Sequence, residues 1–338
     1  MQKVLVTGAT GFVASHLILG LLNEGYAVRG TIRSLAKGPQ LLEELSDYAG
    51  RQVEIELVEA DLSSDNGWTT AMDGIDFVQH VASPFPAHQP ETADELIIPA
   101  RDGALRVLEA ANAADVRRVV MTSSVAAVDV AWVGGRPAAF DESHWTNMTR
   151  PDKVSFYAQS KTIAEMAAWE AAKRDNFKTE LSVIVPTVVL GPAMSPRVSA
   201  SLGMITAILK RDMPAYPKLH QGIIDVRDLA TAHIEAIRRD EAAGERIIIC
   251  SESLWFKEIG TILQDAYPDR RMPKGELPTW LVRFMSRFKP ELKLVAPNLG
   301  VLRNYNNQKA KDLLGMKFKP AEEAILASAG SLAKLGLI

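Results

Sequence analysis

The first fourteen residues constrain the fold more than any other stretch of this chain. Residues 4–7 form a short β-branched run, and Thr7-Gly8-Ala9-Thr10-Gly11-Phe12-Val13-Ala14 leads out of it into a helical pattern over about 12–24. Glycine at 8 permits a tight turn. Glycine at 11 lets the backbone approach a pyrophosphate at the helix N-terminus, where unpaired N–H groups and the positive dipole end favour an anion. Ala14 is small enough for the helix to pack on the strand. An ordinary glycine turn is the competing reading, and the order strand, turn, helix argues against it. The candidate nucleotide contacts of this turn are Thr7, Gly8, Thr10, Gly11, Phe12 and Val13.

A strand that feeds such a turn belongs to a parallel sheet, and the rest of the chain keeps that rhythm. Strand candidates cover about residues 27–32, 53–57, 77–81, 119–122, 181–185 and 247–250, with helical patterns between them, notably 93–113 and 155–174. Continuous apolar strands separated by helices imply a sheet covered on both faces, a Rossmann-type doubly wound α/β fold. After Gly191 the rhythm weakens: 192–221 is irregular and proline-interrupted, and 253–338 is helical with few strand runs. Residues 278–293 read as a helix with Trp280, Leu281, Phe284 and Met285 on one side. The expected division is a nucleotide-binding domain over 1–191 plus about 222–250. A smaller, mostly helical substrate-binding cap takes about 192–221 and 251–338, interleaved with it.

At 338 residues, with 47% hydrophobic and 23% charged residues, the chain can bury a sizeable core. A net charge of −3 without basic clusters gives no nucleic-acid footprint. No signal-peptide pattern and no apolar run of membrane-spanning length is visible. The lone Cys250 excludes an internal disulfide. The expectation is a cytoplasmic protein with a small-molecule partner, neither nucleic-acid- nor membrane-bound, monomeric or homodimeric.

The second strand candidate is followed by Arg33, about 20 residues beyond the glycine turn, where an NAD-binding chain places Asp or Glu for the ribose 2′-hydroxyl. A cation there, with Lys37 a further turn away, suits a 2′-phosphate, which points to NADP(H). A solvated surface charge is the alternative. Asp61, with the Leu62 N–H beside it, offers a carboxylate to an adenine amino group, or else an N-cap to the segment after Ser64. Both roles stay open.

Tyr157 and Lys161 are one helical turn apart on one face of the 155–174 pattern. A phenol ordinarily holds its proton to about pH 10, and a neighbouring ammonium favours the phenolate. Such a pair can hand a proton to a carbonyl oxygen, or take one from an alcohol. Thr122-Ser123-Ser124 ends a strand candidate, at the sheet edge where ligands bind. Either serine hydroxyl can hold the substrate oxygen; the competing role is turn capping.

Together these residues resemble the extended branch of the short-chain dehydrogenase/reductase superfamily, the epimerase/dehydratase group. The resemblance runs through Thr7-Gly8-x-x-Gly11, Asp61-Leu62, Thr122-Ser123-Ser124, Tyr157-x-x-x-Lys161, Pro186-Thr187-Val188-Val189-x-Gly191-Pro192 and Asp225-Val226-Arg227-Asp228. Ala82-Ser83-Pro84-Phe85, residues 122–128 and residues 28–34 are similar to dihydroflavonol 4-reductases and the yeast-type methylglyoxal and aldehyde reductases. The resemblance implies NADPH-dependent reduction of an aldehyde or ketone. It implies that Ser124 rather than Ser123 is catalytic with Tyr157 and Lys161, and that Lys161 also binds the nicotinamide ribose. Arg33 and Lys37 then hold the 2′-phosphate, Val81, Ala82 and Ser83 line the cofactor groove, and Pro186 and Val189 flank the nicotinamide. Phe85, Val125 and Trp132 are candidates for the substrate wall, with core packing as the competing role.

His16 and His80 stand alone and read as packed or exposed rather than catalytic. No cluster has metal-ligand spacing, so no metal is expected. Two other functions compete: a nucleotide-sugar epimerase or dehydratase with tightly held NAD, which Arg33 argues against, and a non-catalytic dinucleotide sensor, which Tyr157-x-x-x-Lys161 argues against.

Overall fold

A computed structural model of the chain describes residues 1–83, 90–132, 137–288 and 296–338. Among them, seven parallel strands form the central sheet: β1 (Lys3–Val6), β2 (Ala27–Ile32), β3 (Glu56–Glu59), β4 (Phe77–His80), β5 (Arg118–Thr122), β6 (Glu180–Pro186) and β9 (Arg246–Ile249). Their order is β3-β2-β1-β4-β5-β6-β9. The chain therefore winds outward from β1 in both directions, and the reversal lies between β1 and β4. In open sheets of this kind a crevice opens there at the carboxyl ends of the strands.

The alternation of side chains along each strand explains the two covered faces. Val4 and Val6 pack into one core with Ile184, Ile247 and Ile249, while Leu5, Val183, Val185 and Ile248 pack into the other. The first core is closed by α1 (Phe12–Asn23), α2 (Gly38–Ala49) and α7 (Val226–Arg238). The second is closed by α3 (Trp68–Met72), α4 (Asp94–Ala113) and α5 (Phe156–Ala172). Arg118 of β5 is fully buried and donates to the carbonyls of Ala236 and Arg239, both at 2.7 Å, and pairs with Glu180. It thereby satisfies orphan carbonyls where α7 ends.

A second sheet holds three short strands that the sequence pattern does not reveal: β7 (Val188–Leu190), β8 (His220–Asp225) and β10 (Glu252–Trp255). β8 pairs parallel to β7 and antiparallel to β10. A third core forms on it from Leu190, Ile223 and side chains of α6 (Ala200–Leu209), α8 (Phe256–Ala266) and α11 (Ala321–Lys334). The small sheet takes its strands from both sides of residues 191 and 221.

Two sequence expectations shift. The third strand runs Glu56–Glu59 rather than 53–57, because Val53 is buried just after α2 and its N–H is held by Ser46 Oγ at 3.0 Å. Of the helix expected over 278–293, residues 289–293 lie outside the described residues, and the described part is α9 (Thr279–Met285), closed by a turn at Ser286. Its buried residue is Val282, whereas Trp280 is 71% exposed and Phe284 51%. A further helix, α10 (Gln308–Leu314), packs against β9. No helix among the described residues is long and apolar enough to cross a membrane.

Candidate active site

The glycine turn is built against the loop that follows β4. Gly8 has φ +65°, and a Cβ on it would stand 2.9 Å from the Ala82 Cβ. Only glycine fits both the conformation and the approach. Thr7 is buried behind the turn, where Oγ1 shares a 3.0 Å hydrogen bond with His80 Nδ1 and accepts from Ala82 N–H at 3.0 Å. Gly11 is the N-cap of α1 and has no side chain to cap it, so the first N–H groups of that helix face outward.

These groups open onto a cleft of about 1100 Å³ at the carboxyl ends of β1, β2, β4, β5 and β6. Gly8, Thr10, Gly11, Phe12 and Val13 line one end. Exposed Arg33, with Asp61 and Leu62, lines the flank beyond β2. Val81, Ala82 and Ser83 form the wall after β4, and Pro186 and Val189 the wall after β6. Ser124, Val125, Tyr157 and Lys161 close the far end. Thr7 stands behind the wall, and exposed Lys37 stands outside the lining. Phe85 lies outside the described residues.

Asp61 makes a local turn: Oδ1 accepts from Ser63 N–H at 2.8 Å and Ser63 Oγ at 2.7 Å. The Ser63 N–H bond, first among the causes, holds its carboxyl below the usual range. It does not cap α3, whose N-cap is Gly67.

The two serines separate by partner. Ser123 is buried, and its hydroxyl is donated to Glu165 Oε2 at 2.5 Å. Ser124 caps a 3-10 turn, Val125–Ala127, by accepting from Ala126 N–H at 3.2 Å. That bond uses a lone pair and leaves the Ser124 O–H to donate. Capping and substrate contact are therefore compatible at Ser124.

Ser155 caps α5 through Ala158 N–H at 3.2 Å, which places Tyr157 in the first turn, 41% exposed in the cleft. Lys161 is a turn deeper and buried. His80 lies close enough for the Lys161 charge to act on it. Burial, and after it that charge, lowers its pKa to about 3, so its imidazole is neutral near pH 7. His16 is likewise neutral, lowered to about 4 by burial, with Nε2 2.8 Å from the Pro192 carbonyl oxygen. Trp132 stands in an aromatic cluster with Phe140 and His144, centroids 5.8 and 5.0 Å away, and Val125 reaches the cleft.

The far side of the cleft carries residues that sequence reasoning missed. Asp129 is buried, pairs with Arg303 Nη1 at 3.3 Å, and accepts from Tyr305 O–H at 2.8 Å. Burial first, then the Asp129 charge, holds the Tyr305 phenol protonated far above its usual range. An aspartate between Val128 and Val130 was the one local signal; nothing links it in sequence to Arg303. Gln221, Asn298 and Met204 complete that side.

A parallel sheet with an uncapped helix at its switch point, and a tyrosine, a lysine and a serine lining the same cleft, defines a dinucleotide-binding α/β protein. The chain belongs to the NAD dependent epimerase/dehydratase family, whose model matches residues 4–250. This is the extended branch of the short-chain dehydrogenase/reductases that the motifs resemble. It is 33% identical to the NADPH-dependent methylglyoxal reductase of Saccharomyces cerevisiae, over 98% of each chain. It is 32% identical to cinnamoyl-CoA reductase 2 of Medicago truncatula, over 99% of this chain and 92% of that one. Among solved structures, yeast methylglyoxal/isovaleraldehyde reductase complexed with NADPH is similar over the whole of both chains, with a TM-score of 0.79 and 29% identity.

Proposed function

We propose that this chain is an NADPH-dependent reductase that converts an aldehyde or ketone to the alcohol, with Tyr157 as the proton donor. The observation that carries this is the convergence of Tyr157, Lys161 and Ser124 in the same cleft as the glycine turn. The residues fit the cofactor: the cradle at Gly8 is one that a Cβ would fill, and the α1 N-terminus is uncapped. Gly8, Thr10, Gly11, Phe12 and Val13 would hold the pyrophosphate, and Arg33 the 2′-phosphate, with Lys37 adding charge from outside the cleft. Asp61 and Leu62 would meet the adenine, Val81, Ala82, Ser83, Pro186 and Val189 would line the groove, and Lys161 would bind the nicotinamide ribose. When bound, NADPH supplies the hydride.

This chain's own residues handle the oxygen and its proton. Ser124 O–H donates to the substrate carbonyl oxygen and holds it in place. Tyr157 O–H donates to the same oxygen and gives it the proton as the alcohol forms. The Lys161 ammonium, one turn below, favours the phenolate left behind. Similarity to the NADPH-dependent methylglyoxal reductase of Saccharomyces cerevisiae supports NADPH over NADH, as does the cation at Arg33.

The same proposal assigns residues 1–191 and about 222–250 to nucleotide binding, and about 192–221 and 251–338 to the substrate cap. The third core supports a separately packed cap. A cytoplasmic location, and a monomer or homodimer, belong to the same reading. The test is NADPH consumption against a panel of aldehydes and ketones. Tyr157→Phe should abolish turnover and keep NADPH binding; a variant that still reduces its substrate refutes the assigned donor.

A further inference from the structure

We propose that Glu165 is a positioning residue, and that its grip on Ser123 sets the distance between the Tyr157 hydroxyl on α5 and the Ser124 hydroxyl at the end of β5. This rests on the reductase reading above.

Tyr157, Lys161 and Glu165 recur at four-residue spacing and run along one side of α5. Glu165 is fully buried. Its Oε2 accepts from Ser123 Oγ at 2.5 Å, and its Oε1 from Arg246 Nε at 2.5 Å and Trp169 Nε1 at 3.3 Å. Arg246, from the first residue of β9, also donates to the carbonyls of Glu142 at 3.0 Å, His144 at 2.7 Å and Ala127 at 3.5 Å. Ala127 closes the 3-10 turn that Ser124 caps. One carboxylate thus holds the residue next to Ser124 directly and the turn after Ser124 through Arg246. The helix that carries it also carries Tyr157 and Lys161.

Stability alone does not call for this arrangement. A buried carboxylate–guanidinium pair is often no more stable than an apolar filling of the same volume. The Ser123 backbone is already fixed by the sheet, since its N–H donates to the Ile184 carbonyl at 2.8 Å. What Glu165 adds is a directed bond from the catalytic helix to the Ser123 hydroxyl. A misplacement of about 1 Å in such a site lowers the rate by about 100-fold.

The test is steady-state kinetics on an accepted aldehyde with thermal melts alongside, for Ser123→Ala, Ser123→Thr, Glu165→Gln and Tyr157→Phe. Ser123→Ala removes one hydrogen bond and leaves the Glu165–Arg246 pair intact. Its kcat should fall about 10- to 100-fold, with KM for NADPH within about twofold of the parent. Ser123→Thr, which keeps the hydroxyl, should recover most of the rate. Glu165→Gln should lower kcat in the folded protein in the same way. A Ser123→Ala enzyme at parental kcat overturns the proposal, as does a defect confined to Tm or NADPH affinity. A slow Ser123→Ala beside a parental-rate Glu165→Gln makes Ser123 itself the substrate donor, and also overturns it. Tyr157→Phe reports on the underlying reading instead: an active variant sinks the proton donor, whatever Ser123→Ala does.

Discussion

The chemistry of this chain turns on which neighbours each hydroxyl and charge has. Ser123 and Ser124 are adjacent and chemically identical, yet one is tied to a buried carboxylate and the other keeps an O–H for the cleft. Arg33 is a comparable case: it is exposed at the cleft flank, close enough for its charge to act on Asp61. Arg33→Ala should raise KM for NADPH by about 10- to 100-fold, the loss of one charge-assisted contact. KM for NADH should change little. Equal changes for the two cofactors, measured side by side, would remove Arg33 from the 2′-phosphate site.

Single elements carry the placement of those residues. The turn after β1 depends on Gly8, where any side chain meets Ala82. Gly8→Val should push the turn away from the loop after β4 and weaken NADPH binding at least 10-fold, roughly the loss of one or two hydrogen bonds. Titration of NADPH fluorescence measures it, and unchanged affinity would mean that the turn has room to spare. Arg118 works at the other end of the molecule, where its fully buried guanidinium holds carbonyls at the end of α7. Arg118→Met strands those carbonyls and should lower stability by roughly 3 kcal/mol. It should leave kcat of the folded enzyme intact, because α7 ends away from the cleft lining. Urea melts with parallel activity assays separate the two effects.

Among the described residues, folding buries four imidazoles, His16, His80, His220 and His233, and burial lowers the pKa of each. Burial lowers His80 and His233 to about 3 and His16 to about 4, from an ordinary 6.5. The unfolded chain binds protons at these positions below pH 6.5 and the folded chain does not. Their contribution is therefore intact above about pH 6.5 and is lost as pH falls toward 3–4. The slope is about 1.4 kcal/mol per pH unit for each histidine. Urea midpoints at pH 7.5, 6 and 5 should drop steadily, and a flat profile down to pH 5 would show that these side chains reach solvent. His80 also links β4 to the turn through Thr7, and because it stays neutral in the folded chain down to about pH 3, NADPH affinity of the folded enzyme should not follow this loss of stability.

Much of this was legible in the chain itself, because the signals are local. The order strand, turn, helix at residues 4–24 determined a parallel sheet with a nucleotide-binding edge. Continuous apolar strand runs and the four-residue spacing of Tyr157 and Lys161 are properties of short segments, set by backbone geometry and burial. The third strand and α9 were misplaced because their bounds depend on ladder partners and packing rather than on pattern. The small sheet, the Asp129–Arg303 pair and the Glu165 network were beyond reach for the same reason. Each joins residues far apart in the chain, and β7 and β10, of three and four residues, carry too little periodicity to show themselves. The sequence by itself determined what kind of cofactor the chain is built around and put forward the pair, Tyr157 and Lys161, that the proposed reaction uses. The resemblance had already implied Ser124 over Ser123; only the tertiary structure decided what each serine bonds to, because that depends on where the buried Glu165 carboxylate points.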